Sequence, residues 1–247
     1  MKTRYLIDKA LLFIAIFLLF LMAPLLQNSA GESIDFSKPS VLLISFLEFF
    51  SSAVILLLCK RLYSIPIYGG AQKILFDSRQ DAPTSVQNHK TRAFLFLKDA
   101  GDVFLCFGVL CVFSALLHVA AFLLPSGKPM DVIFPSGLKW FVCILTLFFS
   151  AFYEEALYRI FVPEYLLSIF TKDMRINSAK AKKITSHACE LFALILFALS
   201  HRYLGVFSVV NAAFAHTVFR FFLKKDKNLF ITVFAHFLYN VISLVLI

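Results

Sequence analysis

The sequence predicts an all-α fold, a polytopic transmembrane bundle of about seven membrane-spanning helices whose N-terminus lies in the cytoplasm. Of the 247 residues, 60% are hydrophobic and 16% are charged, whereas soluble domains average about 45–50% apolar and about 25% charged residues. The apolar residues are concentrated in segments near the ~20 residues that cross the hydrocarbon core of a bilayer. Because backbone polar groups in lipid must be paired within their own segment, each segment is predicted to be a helix.

Seven apolar segments can be drawn along the chain. In order, they cover residues 10–27, 41–59, 101–124, 138–160, 188–204, 206–222 and 229–246. The first segment follows a charged start, as in a signal peptide, but it is longer than a typical signal-peptide core and has no clear small-residue cleavage site. We therefore interpret it as an uncleaved helix, and we predict a single membrane-embedded domain over residues 1–247.

The basic residues predict the orientation of the bundle. Eighteen lysine and arginine residues lie before the first segment or after the second, fourth and sixth, and only four lie in the alternate connections. The positive-inside rule therefore places the N-terminus in the cytoplasm and the C-terminus outside. The net charge of +9 fits anionic lipid head groups. No stripe of basic and aromatic residues is present, so we expect no nucleic-acid partner.

Three short motifs place polar side chains inside apolar segments. They are Glu-Glu-x-x-x-Arg in the fourth segment, Phe-x-x-x-His in the fifth and His-x-x-x-Asn in the seventh. Ionisable groups at such depth are costly unless they pair or face a wet cavity. We therefore predict one buried polar site, and its candidate residues are Glu154, Glu155, Arg159, His201, His236 and Asn240.

The spacing of the first motif suggests a division of tasks. Adjacent residues on a helix point about 100° apart, so Glu154 and Glu155 are expected to have different roles. Arg159 lies one turn after Glu155, in the favourable order for an ion pair. Glu154 then faces the cavity, where a carboxylate can take a proton from water. A purely structural Glu155–Arg159 pair remains an alternative, but it leaves the second glutamate unexplained.

The other two motifs supply imidazole and amide groups. Phe197 and His201 share one helical face, and His236 and Asn240 lie one turn apart, so the latter two could donate hydrogen bonds to one developing oxyanion. Each histidine alone also fits a buried structural role. Polar residues outside the motifs are Glu48, which could line the cavity, His216, which could pack near the site, and His118, near an outer helix end.

The drawn segments leave one geometric difficulty. Glu154 lies a few residues before the predicted end of the fourth segment, whereas His201 lies about 13 residues into the fifth, about 20 Å along a helix. The two side chains would then sit at different depths. We expect the fifth helix to begin in the cytoplasmic space; a strong tilt of that helix is the alternative.

The three motifs, on three helices in this order, resemble those of the CPBP (Abi) intramembrane glutamic peptidases, a family that includes the type II CAAX prenyl endopeptidases. The resemblance covers roughly residues 140–245, and we take residues 138–247 as the motif-bearing catalytic core. It implies that Glu154 and His201 activate the attacking water and that His236 and Asn240 stabilise the oxyanion. The remaining glutamate and arginine of the first motif would support them.

The resemblance also implies the class of reaction and its setting. We expect a metal-independent endopeptidase without a cofactor or covalent intermediate, which cleaves near the cytoplasmic face. The expected substrate is a membrane-associated protein or peptide, either prenylated at a CAAX sequence or unprenylated. The expected location is the lipid bilayer of the bacterial cell membrane, or of the endoplasmic reticulum in a eukaryote.

Three alternatives use the same residues differently. Glu154, His201 and His236 could hold zinc, although the His-Glu-x-x-His spacing of many zinc proteases is absent. A proton-coupled transporter also uses buried glutamate and histidine, but it predicts paired half-repeats, which we do not find. A non-catalytic scaffold, immunity or accessory protein predicts that Glu154→Ala leaves the phenotype intact.

Overall fold

The helices of the N-terminal half confirm the predicted all-α fold. The computed structural model describes residues 2–26, 33, 35–63, 85–123, 132–174, 176 and 178–246. Helix α1 covers residues 2–26, as Lys2–Ile16, a π-helical turn at Phe17–Leu21, and Met22–Leu26. Helices α2 and α3 are Pro39–Tyr63 and Ser85–Leu123.

The C-terminal half contains the helices that carry the motifs. Helix α4 covers residues 139–173, in the order Lys139–Glu154, a π-helical turn at Glu155–Phe161, Val162–Ser168 and a second π-helical turn at Ile169–Asp173. Helices α5, α6 and α7 are Ala179–Ser200, Val206–Asp226 and Leu229–Leu246. A short 3₁₀ turn, Arg202–Leu204, connects α5 to α6.

The lengths and exposure of these helices agree with a membrane-spanning bundle. Six of them are long and apolar enough to cross a bilayer, and Leu229–Val245 in α7 is a shorter apolar helix. Large apolar side chains point outward, including Leu138 at 92% exposed and Phe122 at 89%. A contiguous apolar surface of this kind is unfavourable in water and favourable in lipid.

Several predicted boundaries differ from the structure, because helices α1, α3, α4 and α5 extend beyond the drawn segments. The predicted end of the fourth segment at residue 160 is wrong, because α4 continues to residue 173. Pro163 lies in the first turn of Val162–Ser168, where its missing N–H is tolerated. Glu154 is therefore near the middle of α4, and the prediction that it lies near a helix end is also wrong.

The fifth helix is longer than the segment drawn for it, since it begins before residue 188. The N-terminus of α5 is at Ala179, and the Ser178 hydroxyl caps it by accepting a hydrogen bond from the Ala181 amide at 3.5 Å. The same helix ends at Ser200. His201 therefore lies at the end of α5, beside the middle of α4 rather than beside its end.

The main apolar core surrounds the second half of α4. Each residue from 156 to 162 is at most 1% exposed, and α1, α2, α5, α6 and α7 contribute side chains to the same core cluster. Near one end of the bundle, ion pairs join α3 to α6, with Lys98 Nζ 2.8 Å from Asp226 and Lys225 Nζ 2.7 Å from Asp102. This packing places the polar groups of α4 in the interior.

Candidate active site

The first motif lies where α4 changes from α-helical to π-helical geometry. Glu154 ends the segment Lys139–Glu154, and Glu155 begins the π-helical turn Glu155–Phe161. Single π turns occur often at functional sites, because they redirect side chains within a continuous helix. The Glu155 side chain is 0% exposed and the Glu154 side chain is 19% exposed. The two neighbours therefore face different surroundings, as the sequence predicts.

Glu155 is the buried member of the pair and has two partners. Its Oε1 lies 3.4 Å from Nε of Arg159 and 2.9 Å from Nδ1 of His236. The first contact confirms the predicted ion pair. The second joins α4 to α7 and has no signal in the sequence, because its partners are 81 residues apart. A fully buried carboxylate needs such partners to offset its loss of hydration.

Glu154 faces two histidines at distances longer than a direct hydrogen bond. Its Oε2 lies 3.6 Å from Nε2 of His236 and 4.0 Å from Nε2 of His201. The Ser150 hydroxyl donates a hydrogen bond of 3.5 Å to the other carboxylate oxygen of Glu154, Oε1. One water oxygen, about 2.8 Å from each acceptor, fits between two atoms 4.0 Å apart. The Glu154 side chain can therefore share a water with His201.

The hydrogen bonds of His201 determine which ring nitrogen is available. Its Nδ1 lies 2.9 Å from the backbone carbonyl of Phe197 and 3.2 Å from the Ser200 hydroxyl. A carbonyl only accepts, so Nδ1 carries the proton. In the neutral ring Nε2 is then an acceptor, and it is the nitrogen that faces Glu154. His201 is therefore oriented to receive a proton from a water at that position.

Arg159 and Phe197 form the centre of the site. The guanidinium carbon lies 3.7 Å from the centroid of the Phe197 ring and 5.2 Å from that of Phe219, and the Arg159 side chain is 0% exposed. A cation over an aromatic face is stabilised by the ring quadrupole, most strongly when water is excluded. The Phe197 ring also lies 4.6 Å from His201. The phenylalanine of the second motif thus supports both groups.

Asn240 stands apart from the other five motif residues. It is half-buried on α7, one turn after His236. Among the residues that the structure describes, no hydrogen bond joins its amide to Glu154, Glu155 or His201. The structure therefore brings five of the six candidate residues into direct proximity and leaves Asn240 beside them without such a bond.

The polar residues outside the motifs have different positions. His216 is 2% exposed, and its ring centroid lies 5.8 Å from that of Phe197, so it packs against the site. Glu48 lines a cavity of about 440 Å³ between α1 and α2, together with Phe20 and Pro24. His118 is exposed on α3.

The geometry also bears on the zinc alternative. In the described part of the chain, no group of three or more histidine, cysteine, aspartate or glutamate side chains is arranged to hold a metal ion. Structural and catalytic zinc sites usually have their ligand atoms within about 2.3 Å of one common point. The zinc alternative therefore has no preformed ligand group among these residues.

Comparison with protein families finds one family that part of the chain resembles. Residues 135–242 match the family model described as type II CAAX prenyl endopeptidase Rce1-like. The predicted family resemblance is confirmed. This Rce1-like segment covers less than half of the 247 residues but includes all three motifs. The match supports a CAAX-type intramembrane protease, and with six membrane-capable helices the chain is an integral multi-pass membrane protein.

The match also indicates the class of substrate. A protease of this family acts on a protein or peptide substrate in a membrane setting. Comparison with curated proteins and with solved structures finds no match to the chain. The catalytic roles of individual residues therefore depend on the geometry described above.

Proposed function

We propose that this chain is a metal-independent intramembrane endopeptidase that hydrolyses a peptide bond with water activated by Glu154 and His201. The observation that carries the proposal is the position of Glu154 Oε2, 4.0 Å from Nε2 of His201 and 3.6 Å from Nε2 of His236. The Glu154 and His201 side chains are 19% and 23% exposed, whereas Glu155 and Arg159 are 0% exposed. The first pair is therefore less buried than the second pair, which supports it.

The attack begins with a water between the carboxylate and the imidazole. As its oxygen bonds to the scissile carbonyl carbon, its proton passes to Glu154 or to Nε2 of His201. The Glu154 carboxylate can accept this proton. Nε2 of His201 can also accept it, because the proton of the neutral ring is on Nδ1, which donates to the Phe197 carbonyl. General-base catalysis of this kind contributes about 10²- to 10⁴-fold to a rate.

His236 is placed to stabilise the negative oxygen that forms. Two carboxylates and one guanidinium, from Glu154, Glu155 and Arg159, leave the enclosed group with one negative charge. A doubly protonated His236 makes this group neutral, and buried charges are tolerated when they are balanced in this way. Its Nδ1–H then donates to Glu155, and its Nε2–H points to the side of Glu154.

Asn240 supplies the second donor to the oxyanion in this proposal. Its amide makes no hydrogen bond with the other motif residues in the described structure, and it lies one turn from His236 on the same helix. Two donors aimed at one developing oxyanion are a large source of rate acceleration in acyl transfer.

The tetrahedral intermediate then collapses. The carbon–nitrogen bond breaks, and the proton held by Glu154 or His201 passes to the departing nitrogen. The products are a free carboxylate and a free amine, so water is the only co-reactant and no acyl-enzyme forms. The substrate that we propose is a membrane-associated peptide, prenylated at a CAAX sequence or unprenylated, in a bacterial cell membrane or the endoplasmic reticulum.

The test uses the full-length protein in lipid nanodiscs. A farnesylated CAAX-type peptide and the same peptide without the lipid are incubated with wild type and with Glu154→Gln, and the products are identified by mass spectrometry. The control variant, Asp8→Asn, also turns a carboxylate into an amide, at an exposed position of α1 outside the motifs. We expect cleavage by wild type and Asp8→Asn and none by Glu154→Gln.

Each outcome of this experiment has a defined meaning. Cleavage of the farnesylated peptide alone would support a prenylated substrate, and cleavage of both would support an unprenylated one. Equal cleavage by Glu154→Gln and wild type would contradict the proposed mechanism. Failure of wild type to cleave either peptide would count against the endopeptidase and favour the scaffold alternative.

A further inference from the structure

Arg220 joins three helices directly behind the candidate active site, although none of the motifs includes it. It lies on α6 and is 6% exposed. Its Nε and Nη2 donate to the two carboxylate oxygens of Glu190 on α5, at 2.7 and 2.6 Å. Its Nη2 also donates to Glu164 on α4 at 2.6 Å. A bidentate arginine–carboxylate pair of this kind holds both partners in a fixed orientation.

A further hydrogen bond of Arg220 reaches the backbone of the first motif. Its Nη1 donates to the backbone carbonyl of Arg159 at 2.7 Å. In an α-helix this carbonyl would accept from the amide four residues later, but that residue is Pro163, which has no N–H. A buried carbonyl without a donor is costly, so it needs a partner from elsewhere. Arg220 supplies such a donor from another helix.

The carbonyl that Arg220 holds belongs to the π-helical turn Glu155–Phe161. The same turn carries Glu155, which contacts His236, and the Arg159 guanidinium, which lies over Phe197. The orientation of this turn therefore affects the contact of Glu155 with His236 and that of Arg159 with Phe197.

We propose that Arg220, fixed by Glu164 and Glu190, is a positioning residue that holds the π-helical turn in the geometry that the active site needs. This inference rests on the proposed function. Arg220 donates to the backbone carbonyl of Arg159, so it acts through that backbone. Lysine cannot replace Arg220, because a single ammonium group lacks the planar set of donors that binds two carboxylates and a carbonyl at once.

The first test compares Arg220→Lys and Arg220→Gln with Lys224→Gln in nanodiscs. Lys224 Nζ pairs with the same Glu190 carboxylate at 2.8 Å, but the Lys224 side chain is 50% exposed and has no described contact with the π-helical turn. We expect both Arg220 variants to lower kcat by about 10- to 100-fold, as a displacement near 1 Å does, with KM changed less than about twofold. Lys224→Gln should keep kcat near the wild-type value. An equal loss in Lys224→Gln would overturn the inference.

Hydrogen exchange of the π-helical turn gives a measurement that does not depend on activity. We expect amide exchange over residues 155–162 to be faster in Arg220→Gln than in wild type. Unchanged exchange in Arg220→Gln would overturn the inference. If wild type cleaves no peptide, the proposed function fails, whereas this exchange measurement still decides the role of Arg220.

Discussion

Nδ1 of His236 lies 2.9 Å from Oε1 of Glu155, and Nε2 of the same ring lies 3.6 Å from Oε2 of Glu154. One imidazole thus contacts both adjacent carboxylates, although these point in different directions from α4. The relationship explains why two consecutive glutamates serve one site. Glu155 orients the ring through Nδ1, and Glu154 lies on the side of Nε2.

The contact between Glu155 and His236 should be visible as coupling between two mutations. We expect Glu155→Gln to lower kcat/KM by about 10-fold or more, because a neutral amide stabilises an imidazolium less than a carboxylate does. After His236→Gln, the further effect of Glu155→Gln should be much smaller, since the partner is already lost. The measurement is a double-mutant cycle on peptide cleavage. Independent, multiplying effects would contradict the proposed role of Glu155.

Phe197 should matter for stability as well as for activity. The Arg159 guanidinium carbon lies 3.7 Å from its ring centroid in a buried environment, where such a contact is worth about 2 kcal/mol. We expect Phe197→Leu to lower the thermal unfolding midpoint measurably in a fixed detergent. Phe141→Leu is the matched control, because that ring is 66% exposed on α4 and should face lipid. Equal midpoints for the two variants would contradict this account.

Chelators should leave the activity unchanged. The proposed mechanism gives the activation of water to Glu154 and His201 without a metal ion. Activity in nanodiscs is measured before and after treatment with 1,10-phenanthroline or EDTA, followed by removal of the chelator. The zinc alternative predicts loss of activity and its return when Zn²⁺ is added. That result would replace the glutamic mechanism by a metal-dependent one.

The fold could be predicted from the sequence because apolar length is a strong signal. Long apolar segments must be helical in lipid, so the number and order of the helices follow directly. The ends of the helices were less predictable where charged residues lie near them. Helix α4 continues through Pro163 and Glu164 to residue 173, and the Glu164 carboxylate pairs with Arg220 rather than lying in a loop. No local pattern reveals a partner 56 residues away.

Only those contacts of the site that lie within one helix could be predicted, because residue spacing shows which side chains share a helical face. The Glu155–Arg159 pair and the shared face of Phe197 and His201 follow from a separation of four residues. Contacts between helices do not follow from spacing. The sequence therefore did not indicate the bond between Glu155 and His236, the stacking of Arg159 on Phe197, or the π-helical turn.

The most direct test of the central claim compares the cleaved termini of membrane proteins in cells that carry different forms of the chain. One set carries the wild-type chain and another carries Glu154→Gln at equal expression, with Asp8→Asn as the control. The account predicts that particular new termini are present with wild type and Asp8→Asn and absent with Glu154→Gln. Identical termini in all three, together with a phenotype on deletion of the whole chain, would contradict it and favour a non-catalytic role.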